Sequence, residues 1–182
     1  MLVVIADTEI RFRDYPFVGA SVHPRGVLAL AEIRDADPSA TPPEIRTVTE
    51  ETLFVAAGDG PALEKFCHRN AIPVRRRPDI WADLLEPFLD TSFDLAHQRA
   101  TEAQLLAAGF PAAEIVEIRR RVERAMVSYN FDSMLWEWVH LGLFDLLSAA
   151  NGSLARWTAR KSLGDAAELY RWAMRIAHRT NE

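Results

Sequence analysis

Hydrophobic residues in the first 76 positions mostly follow the two-residue period of β-strands. Residues 2–6 form a short apolar run, and residues 9–13 alternate polar with apolar side chains, as half-exposed strands do. A turn at residues 23–26 leads into a third apolar run at residues 27–34. Residues 35–43 contain three prolines and show no period, so the pattern predicts a loop there.

A hairpin and one helix complete this half of the sequence. Residues 45–49 and 52–56 are predicted to pair as two strands. Residues 61–69 predict a helix that begins with proline, whose missing N–H is not needed at that position. Residues 72–74 include a proline, which an edge strand tolerates. Residues 1–76 therefore predict a small, mainly antiparallel sheet with one helix.

From residue 78 onward the apolar positions follow the 3.6-residue period of α-helices. Five helices are predicted, at residues 79–89, 91–108, 111–129 and 131–150 and from residue 162 onward. Residues 131–150 are apolar on nearly every face, which is typical of a helix buried at the centre of a bundle. The sequence therefore predicts an α+β protein, with a β subdomain at 1–76 and a bundle-like helical subdomain at 78–182. Because the segment between them is too short for a flexible linker, we expect the two to pack as one unit.

Two ionisable residues, Glu137 and His140, lie three positions apart on the predicted central helix and project from one side of it. Asp94 and His97 have the same spacing on an earlier predicted helix. Bundle proteins that bind metals present two ligands from one helix turn in this way. We therefore consider a divalent transition metal held by Glu137, His140, Asp94 and His97. Further carboxylates would come from the set Asp83, Glu86, Glu117 and Glu123.

A purely structural role explains the same residues. Glu137 and His140 can satisfy each other or pair with an arginine, since an unpaired charge is costly to bury. Asp94 lies three residues after Thr91, which is the spacing of a capping box at a helix N-terminus. The sequence leaves the metal site and the structural pair open as alternatives.

The common catalytic signatures do not appear in the sequence. Gly58 and Gly60 follow a predicted strand and open a helix, but Leu63 replaces the third glycine of a dinucleotide-binding loop. Cys67 and His68 are adjacent, so on a helix they point about 100 degrees apart and cannot act as nucleophile and base. Cys67 lies on an apolar stripe and is predicted to be a small core residue. The absence of these signatures favours a protein that is not an enzyme but leaves that question open, and we expect no cofactor besides the metal considered above.

Charge adds little to this interpretation. The 182-residue chain has a net charge of −5, which gives no overall attraction to nucleic acid or to an anionic membrane. Arg119–Arg121 and Arg124 are interleaved with acids, including a predicted Glu117–Arg121 pair, as on a solvated helix face. The other basic cluster, residues 75–77, is a short tripeptide that suits a phosphate or an acidic partner. We expect no nucleic acid and no membrane partner.

One cysteine excludes an internal disulfide and favours a reducing compartment, so we expect a cytoplasmic protein. Trp136 and Trp138 lie about 200 degrees apart on the predicted central helix, so they cannot both face one side of it. Either the bundle surrounds this helix on all sides, or one of the two tryptophans faces the sheet or a homodimer interface. We expect a binding, regulatory or protein-interaction role, with a protein partner or a second copy of the chain. The alternative is a metal-binding helical-bundle protein or an enzyme that uses the acid–His pairs on facing helices.

Overall fold

The computed structural model describes residues 1–89, 95–132 (with side chains up to residue 129), 141–151 and 162–179. Within these ranges the protein has the predicted α+β fold, with antiparallel sheets in the first part of the chain and helices in the second. The chain divides into two compact units, Met1–Pro78 and Asp79–Glu182, here the N-terminal unit and the helical unit.

The first sheet of the N-terminal unit is an antiparallel meander of β1 (Leu2–Ile5), β2 (Glu9–Arg13) and β3 (Arg25–Ala29). Its central strand confirms the predicted alternation, because Ile10 and Phe12 are buried whereas Arg11 and Arg13 are exposed. The sheet therefore holds one face in the core and leaves the other face to solvent, as antiparallel sheets commonly do.

The second sheet, also antiparallel, has the order β4 (Ile33–Asp37), β5 (Glu44–Thr47) and β6 (Thr52–Phe54). The predictions of a single sheet and of a loop beginning at residue 35 are wrong, because Asp35 and Asp37 belong to β4. Two buried aspartates interrupt the apolar pattern from which a strand is inferred. A single helical turn at Leu30–Glu32 interrupts the predicted strand at residues 27–34 and separates the two sheets.

Four aromatic rings connect the two sheets inside the N-terminal unit. Phe12, Tyr15, Phe17 and Phe54 meet edge to face, with successive ring centroids 5.3, 5.4 and 6.0 Å apart. The backbone N–H of Phe54 also donates to the Tyr15 hydroxyl oxygen at 3.0 Å. These contacts bury the aromatic rings and fix β6 against the segment that follows β2.

The single helix of this unit, α1 (Gly60–Arg69), has Pro61 in its first turn and buries an apolar stripe of Leu63, Phe66 and Cys67. After α1 the chain returns along β4. The Ala36 N–H donates to the Pro73 carbonyl at 3.0 Å, and the Arg75 N–H donates to the Ala36 carbonyl at 2.9 Å. The predicted edge strand at residues 72–74 is thus reduced to one parallel bridge between Val74 and Ala36. This bridge brings residues 75–77 beside β4.

The helical unit contains, in its described ranges, α2 (Ile80–Leu85), α3 (Leu95–Ala107), α4 (Ala112–Asp132), α5 (Leu143–Asn151) and α6 (Ala166–Ala177). Asp79 caps α2 by accepting the Trp81 N–H at 2.9 Å. Trp81 is fully buried, and its indole N–H donates to the Ala173 carbonyl of α6 at 3.0 Å. None of these described helices is long and apolar enough to cross a bilayer.

The predicted central helix at residues 131–150 is not one continuous helix. Residues 131 and 132 belong to α4, residues 133–140 lie outside the described ranges, and residues 141 and 142 are not helical. A new helix, α5, begins at Leu143, where the Asp145 carboxylate accepts the Gly142 N–H at 2.9 Å. Most of α5 is buried, as predicted for this segment, whereas the arrangement of the helices as a bundle remains a prediction.

Candidate functional site

Three of the four predicted metal ligands, Glu137, His140 and Asp94, lie outside the described residues. The fourth, His97, is on α3, and its Nε2 atom lies 3.5 Å from Oε1 of Glu86. Glu86 follows α2 and is almost fully buried, and its Oε1 accepts no hydrogen bond from the described part of the chain. One acid–His pair from facing elements is therefore present, although it is not a pair predicted from spacing.

Another acid of the predicted metal set, Glu117, has a different partner. Glu117 forms an exposed ion pair with Arg120 at 2.6 Å, so the predicted pair with Arg121 is wrong. Arg121 instead places its guanidinium 4.0 Å above the ring of Trp172. Among the described residues there is no cluster of three or more His, Cys, Asp and Glu side chains that could hold a metal ion.

Cys67 is fully buried on α1, which confirms its predicted place in the core. Burial raises the pKa of its thiol to about 11, and the negative charge of Glu64 contributes in the same direction. The thiolate is the reactive form of cysteine, so this side chain is poorly suited to act as a nucleophile near neutral pH.

A second group of charged residues lies in the N-terminal unit, where Asp35 of β4 is surrounded by arginines. Asp35 lies opposite Arg46 of β5 in the strand register, and Oδ1 of Asp35 accepts a hydrogen bond from Nε of Arg46. Its Oδ2 accepts a hydrogen bond from Nε of Arg34 at 3.1 Å and lies 3.5 Å from an Nη atom of Arg77. We call Arg34, Arg46, Arg75 and Arg77 together the arginine cluster.

Local backbone geometry explains how neighbouring residues reach the same carboxylate. Side chains of consecutive strand residues normally point to opposite faces, which would separate Arg34 from Asp35. The register of β4 against β5 shifts between Ile33 and Asp35, and this irregularity gives Arg34 a different direction. Arg77 arrives from the segment that bridges Ala36, and the Arg75 carbonyl in that segment accepts a hydrogen bond from Arg46.

Burial differs sharply within this group. The side chains of Asp35 and Arg46 are 1% and 4% exposed, whereas those of Arg34 and Arg77 are 31% and 34% exposed. Asp35 and Arg46 therefore form the buried base of the site. Arg34 and Arg77 extend from that base to the surface, where a ligand can reach them.

The electrostatics of the site favour an ionised Asp35. Burial by itself would raise the pKa of Asp35, but the hydrogen bond and charge of Arg46, the hydrogen bond of Arg34 and the charge of Arg77 together lower it. The pKa of Arg77 is lowered, first by burial and then by the positive charges of Arg34, Arg46 and Arg75, against the opposing effect of Asp35. Arg77 is thus crowded by other cations.

Like charges lie close together in the arginine cluster. Asp35 contacts Arg34, Arg46 and Arg77, and the positive charges of Arg34, Arg46 and Arg75 all act on Arg77. Asp37, the next acid along β4, accepts hydrogen bonds from the backbone N–H of Ser39 at 3.0 Å and from its hydroxyl at 2.6 Å. The cluster is therefore a preorganised cationic site, and an oxyanion bound to it would relieve the crowding of like charges.

Sequence reasoning identified only one part of this site, the tripeptide at residues 75–77. It missed Asp35, Arg34 and Arg46, because an ion pair between residues 11 positions apart on two strands leaves no periodic pattern. The sequence offers one signal for the site: Asp35 is a charged residue directly after the predicted apolar strand at residues 27–34. Together with the three prolines that follow, this polar character predicts a loop instead of a strand.

The fold and the arginine cluster define an α+β protein with a preorganised cationic site. Comparisons with protein-family models, curated proteins and solved structures found no match for the chain. Its function is therefore inferred from the described residues alone.

Proposed function

We propose that this protein has a binding role, and that its N-terminal unit holds an oxyanion of the ligand at the arginine cluster. One observation carries the proposal: a single buried carboxylate, Asp35, contacts three arginines and holds their positive charges close to one another. Such preorganisation reduces the cost of ordering long side chains when a ligand binds.

The chemistry of the cluster fits a phosphate or a carboxylate. A guanidinium group is planar, stays charged, and matches two oxygens of such an anion with two parallel N–H groups. Arg34 and Arg77 approach Asp35 from two different segments and are both about one-third exposed. An anion that bridges them would remain close to the buried base without displacing Asp35 from Arg46.

Titration with inorganic phosphate, followed by backbone and arginine Nε NMR signals, tests the proposal. We expect saturable shifts in β4 and in residues 75–77, and no such shifts with chloride at the same ionic strength. Arg77→Gln should weaken phosphate binding about fivefold, because a partly exposed charge pair contributes about 1 kcal/mol. A parallel titration with acetate separates phosphate from carboxylate recognition.

Arg25→Gln is the matched control, since Arg25 is an exposed arginine of the first sheet and lies outside the arginine cluster. Its phosphate affinity should equal that of the unmodified protein. Equal phosphate affinity in Arg77→Gln and Arg25→Gln would contradict the proposal. Shifts that chloride reproduces would also contradict it, because they would report ionic strength alone.

A metal site in the helical unit is a second candidate, which the contact between Glu86 and His97 favours. Their donor atoms lie 3.5 Å apart, close to the separation of roughly 3.4 Å expected for two ligands of a tetrahedral zinc ion. The alternative is that Glu86 and His97 have a purely structural role. Arg119 donates a hydrogen bond to the Leu84 carbonyl at 3.1 Å, and its charge interacts with Glu86. Any further ligands, including Glu137, His140 and Asp94, belong to segments outside the described residues.

Elemental analysis of the purified protein, together with thermal melts with and without chelator, separates these two roles of Glu86 and His97. A metal site predicts stoichiometric metal that is lost in His97→Ala, and a melting temperature that chelator lowers. The exposed His68 of α1 supplies a matched control, and His68→Ala should keep the metal. Metal-free protein whose melting temperature chelator does not change would leave Glu86 and His97 as a structural pair.

A further inference from the structure

The outer face of the first sheet combines exposed aliphatic side chains with arginines. Strand register places Val4 opposite Arg11 and Arg11 opposite Val27, so these three side chains form one row across the sheet. Leu2, Arg13 and Arg25 form the next row in the same way. All six belong to the face opposite the buried Ile10, Phe12 and Leu28.

The aliphatic members of this face are unusually open to solvent. Leu2, Val4 and Val27 are 55%, 47% and 53% exposed, although the solvent side of an antiparallel sheet is normally polar. Leu2 and Val4 alternate along β1, and Val27 lies two strands away with only Arg11 between it and Val4. The three side chains are therefore close enough to be covered by a single partner element.

The charge of this face differs in sign from the net charge of the whole chain. Arg11, Arg13 and Arg25 give it three positive charges, and the nearby Glu9 pairs with Arg11 at 2.5 Å. The net charge of the face is thus +2, whereas the whole chain carries −5. A surface of this kind attracts an acidic partner and repels a cationic one.

We propose that the outer face of the first sheet docks a helix of another protein that presents a line of carboxylates flanked by aliphatic side chains. Three strands span about 10 Å from the first strand axis to the third, which matches the diameter of one α-helix. Strands of four or five residues cover about 15 Å, which is close to three helical turns. The carboxylates of such a helix would reach Arg11 and Arg13 on the central strand, and its aliphatic side chains would cover Leu2 and Val4 on one side and Val27 on the other.

Two other occupants fit the face less well. A second copy of the chain, docked through the same face, would bring arginines against arginines, which is unfavourable. Membrane-surface binding relies on long or aromatic side chains that enter the bilayer by about 5–10 Å. The three strands, all of them within the described residues, expose only Leu2, Val4 and Val27 as large apolar side chains and no aromatic ring.

The test uses the full-length protein and three synthetic helical peptides of about 15 residues. The first has a line of glutamates flanked by leucines, the second replaces those glutamates with lysines, and the third replaces the leucines with alanines. We expect the first peptide alone to shift NMR signals of β1, β2 and β3 in a saturable way. The double variant Arg13→Glu/Arg25→Glu should bind the first peptide at least about tenfold more weakly. It loses the ion pairs between these two arginines and the glutamates of the peptide, and the new glutamates repel those of the peptide.

Arg124→Gln is the control, because Arg124 is an exposed arginine of α4 outside both the arginine cluster and this face, and the variant should bind the first peptide as the unmodified protein does. Equal binding of the glutamate and lysine peptides would overturn the proposal, and so would the absence of shifts in the three strands. Binding to vesicles of phosphatidylserine and phosphatidylcholine without binding to the peptide would identify a membrane surface instead. Concentration-dependent dimerisation that Arg13→Glu/Arg25→Glu changes would identify a second copy, and either result overturns the proposal.

Discussion

Asp35 and Arg46 form an ion pair across β4 and β5 in which both side chains are almost completely removed from solvent. Two buried charges are stable only when each satisfies the other and the remaining hydrogen-bonding groups have partners. Here the Arg46 guanidinium also contacts Glu44 and donates to the Arg75 carbonyl. The pair therefore connects three segments of the N-terminal unit and determines how the arginine cluster is oriented.

Asp35→Ala should lower the free energy of unfolding by about 3–5 kcal/mol, because it leaves Arg46 buried without its counter-charge. Urea denaturation measures this loss. Asp7→Ala is the control: Asp7 is highly exposed, pairs with Arg69, and should change stability by less than about 1 kcal/mol. A loss as small in Asp35→Ala as in Asp7→Ala would mean that the buried pair contributes little to stability.

Acid should weaken the N-terminal unit through Asp35. The pKa of this carboxyl is lowered in the folded state, so its stabilisation is present above the unfolded pKa of about 3.9 and is lost as pH falls through the folded value. The difference in unfolding free energy between the unmodified protein and Asp35→Asn should therefore shrink as pH falls from 6 to 3. Urea melts across that range measure it. A difference that stays constant or grows in acid would contradict this sign.

How much of the protein can be predicted from its sequence depends on the kind of interaction that holds each part. Apolar periodicity predicted β2 and α1, because their buried side chains recur at the spacing of a strand or a helix. It failed at β4, where Asp35 is buried against Arg46, a partner 11 residues away, and Asp37 is buried with hydrogen bonds from Ser39. Of the arginine cluster, the sequence pattern identified only the basic tripeptide at residues 75–77. Arg34 and Arg46 come together with Asp35 only when β4 and β5 pair, so no local pattern marks them.

Two glycines of the N-terminal unit should respond to alanine in opposite directions. A Cβ atom on Gly26 would lie 2.6 Å from Cα of Val22 and 2.9 Å from its Cβ, so the backbone would have to move. Gly26→Ala should therefore cost about 1–3 kcal/mol, as overpacked sites do. Gly58 has open space at the same position, and Gly58→Ala should raise stability by up to about 1 kcal/mol by restricting the unfolded chain.

Urea denaturation of the two variants beside the unmodified protein tests this contrast. Equal stabilities for Gly26→Ala and Gly58→Ala would show that the turn leading into β3 can relax around Val22. The comparison is internally matched, since both substitutions add one methyl group to the same unit.

Cys67 should react very slowly with iodoacetamide in the folded protein at pH 7.5. Its thiol is fully buried, and burial raises its pKa to about 11, so both access and the thiolate fraction are low. Labelling in increasing urea, followed by mass spectrometry, should show reaction only as the N-terminal unit unfolds. Rapid labelling without denaturant would contradict the buried position of α1.

Leu143→Ala should lower the free energy of unfolding by about 2–5 kcal/mol, the usual range when a buried leucine is truncated in a packed core. Leu143 is the first residue of α5 and is almost fully buried. Its position is fixed by a hydrogen bond from its N–H to the Asp79 carboxylate at 3.1 Å, so the surrounding structure has little freedom to fill a cavity.

Leu95→Ala is the matched control, because Leu95 of α3 is largely exposed and its truncation leaves no cavity. Chemical denaturation should show a large shift for Leu143→Ala and almost none for Leu95→Ala. Equal midpoints for the two variants would mean that α5 does not belong to the core of the helical unit.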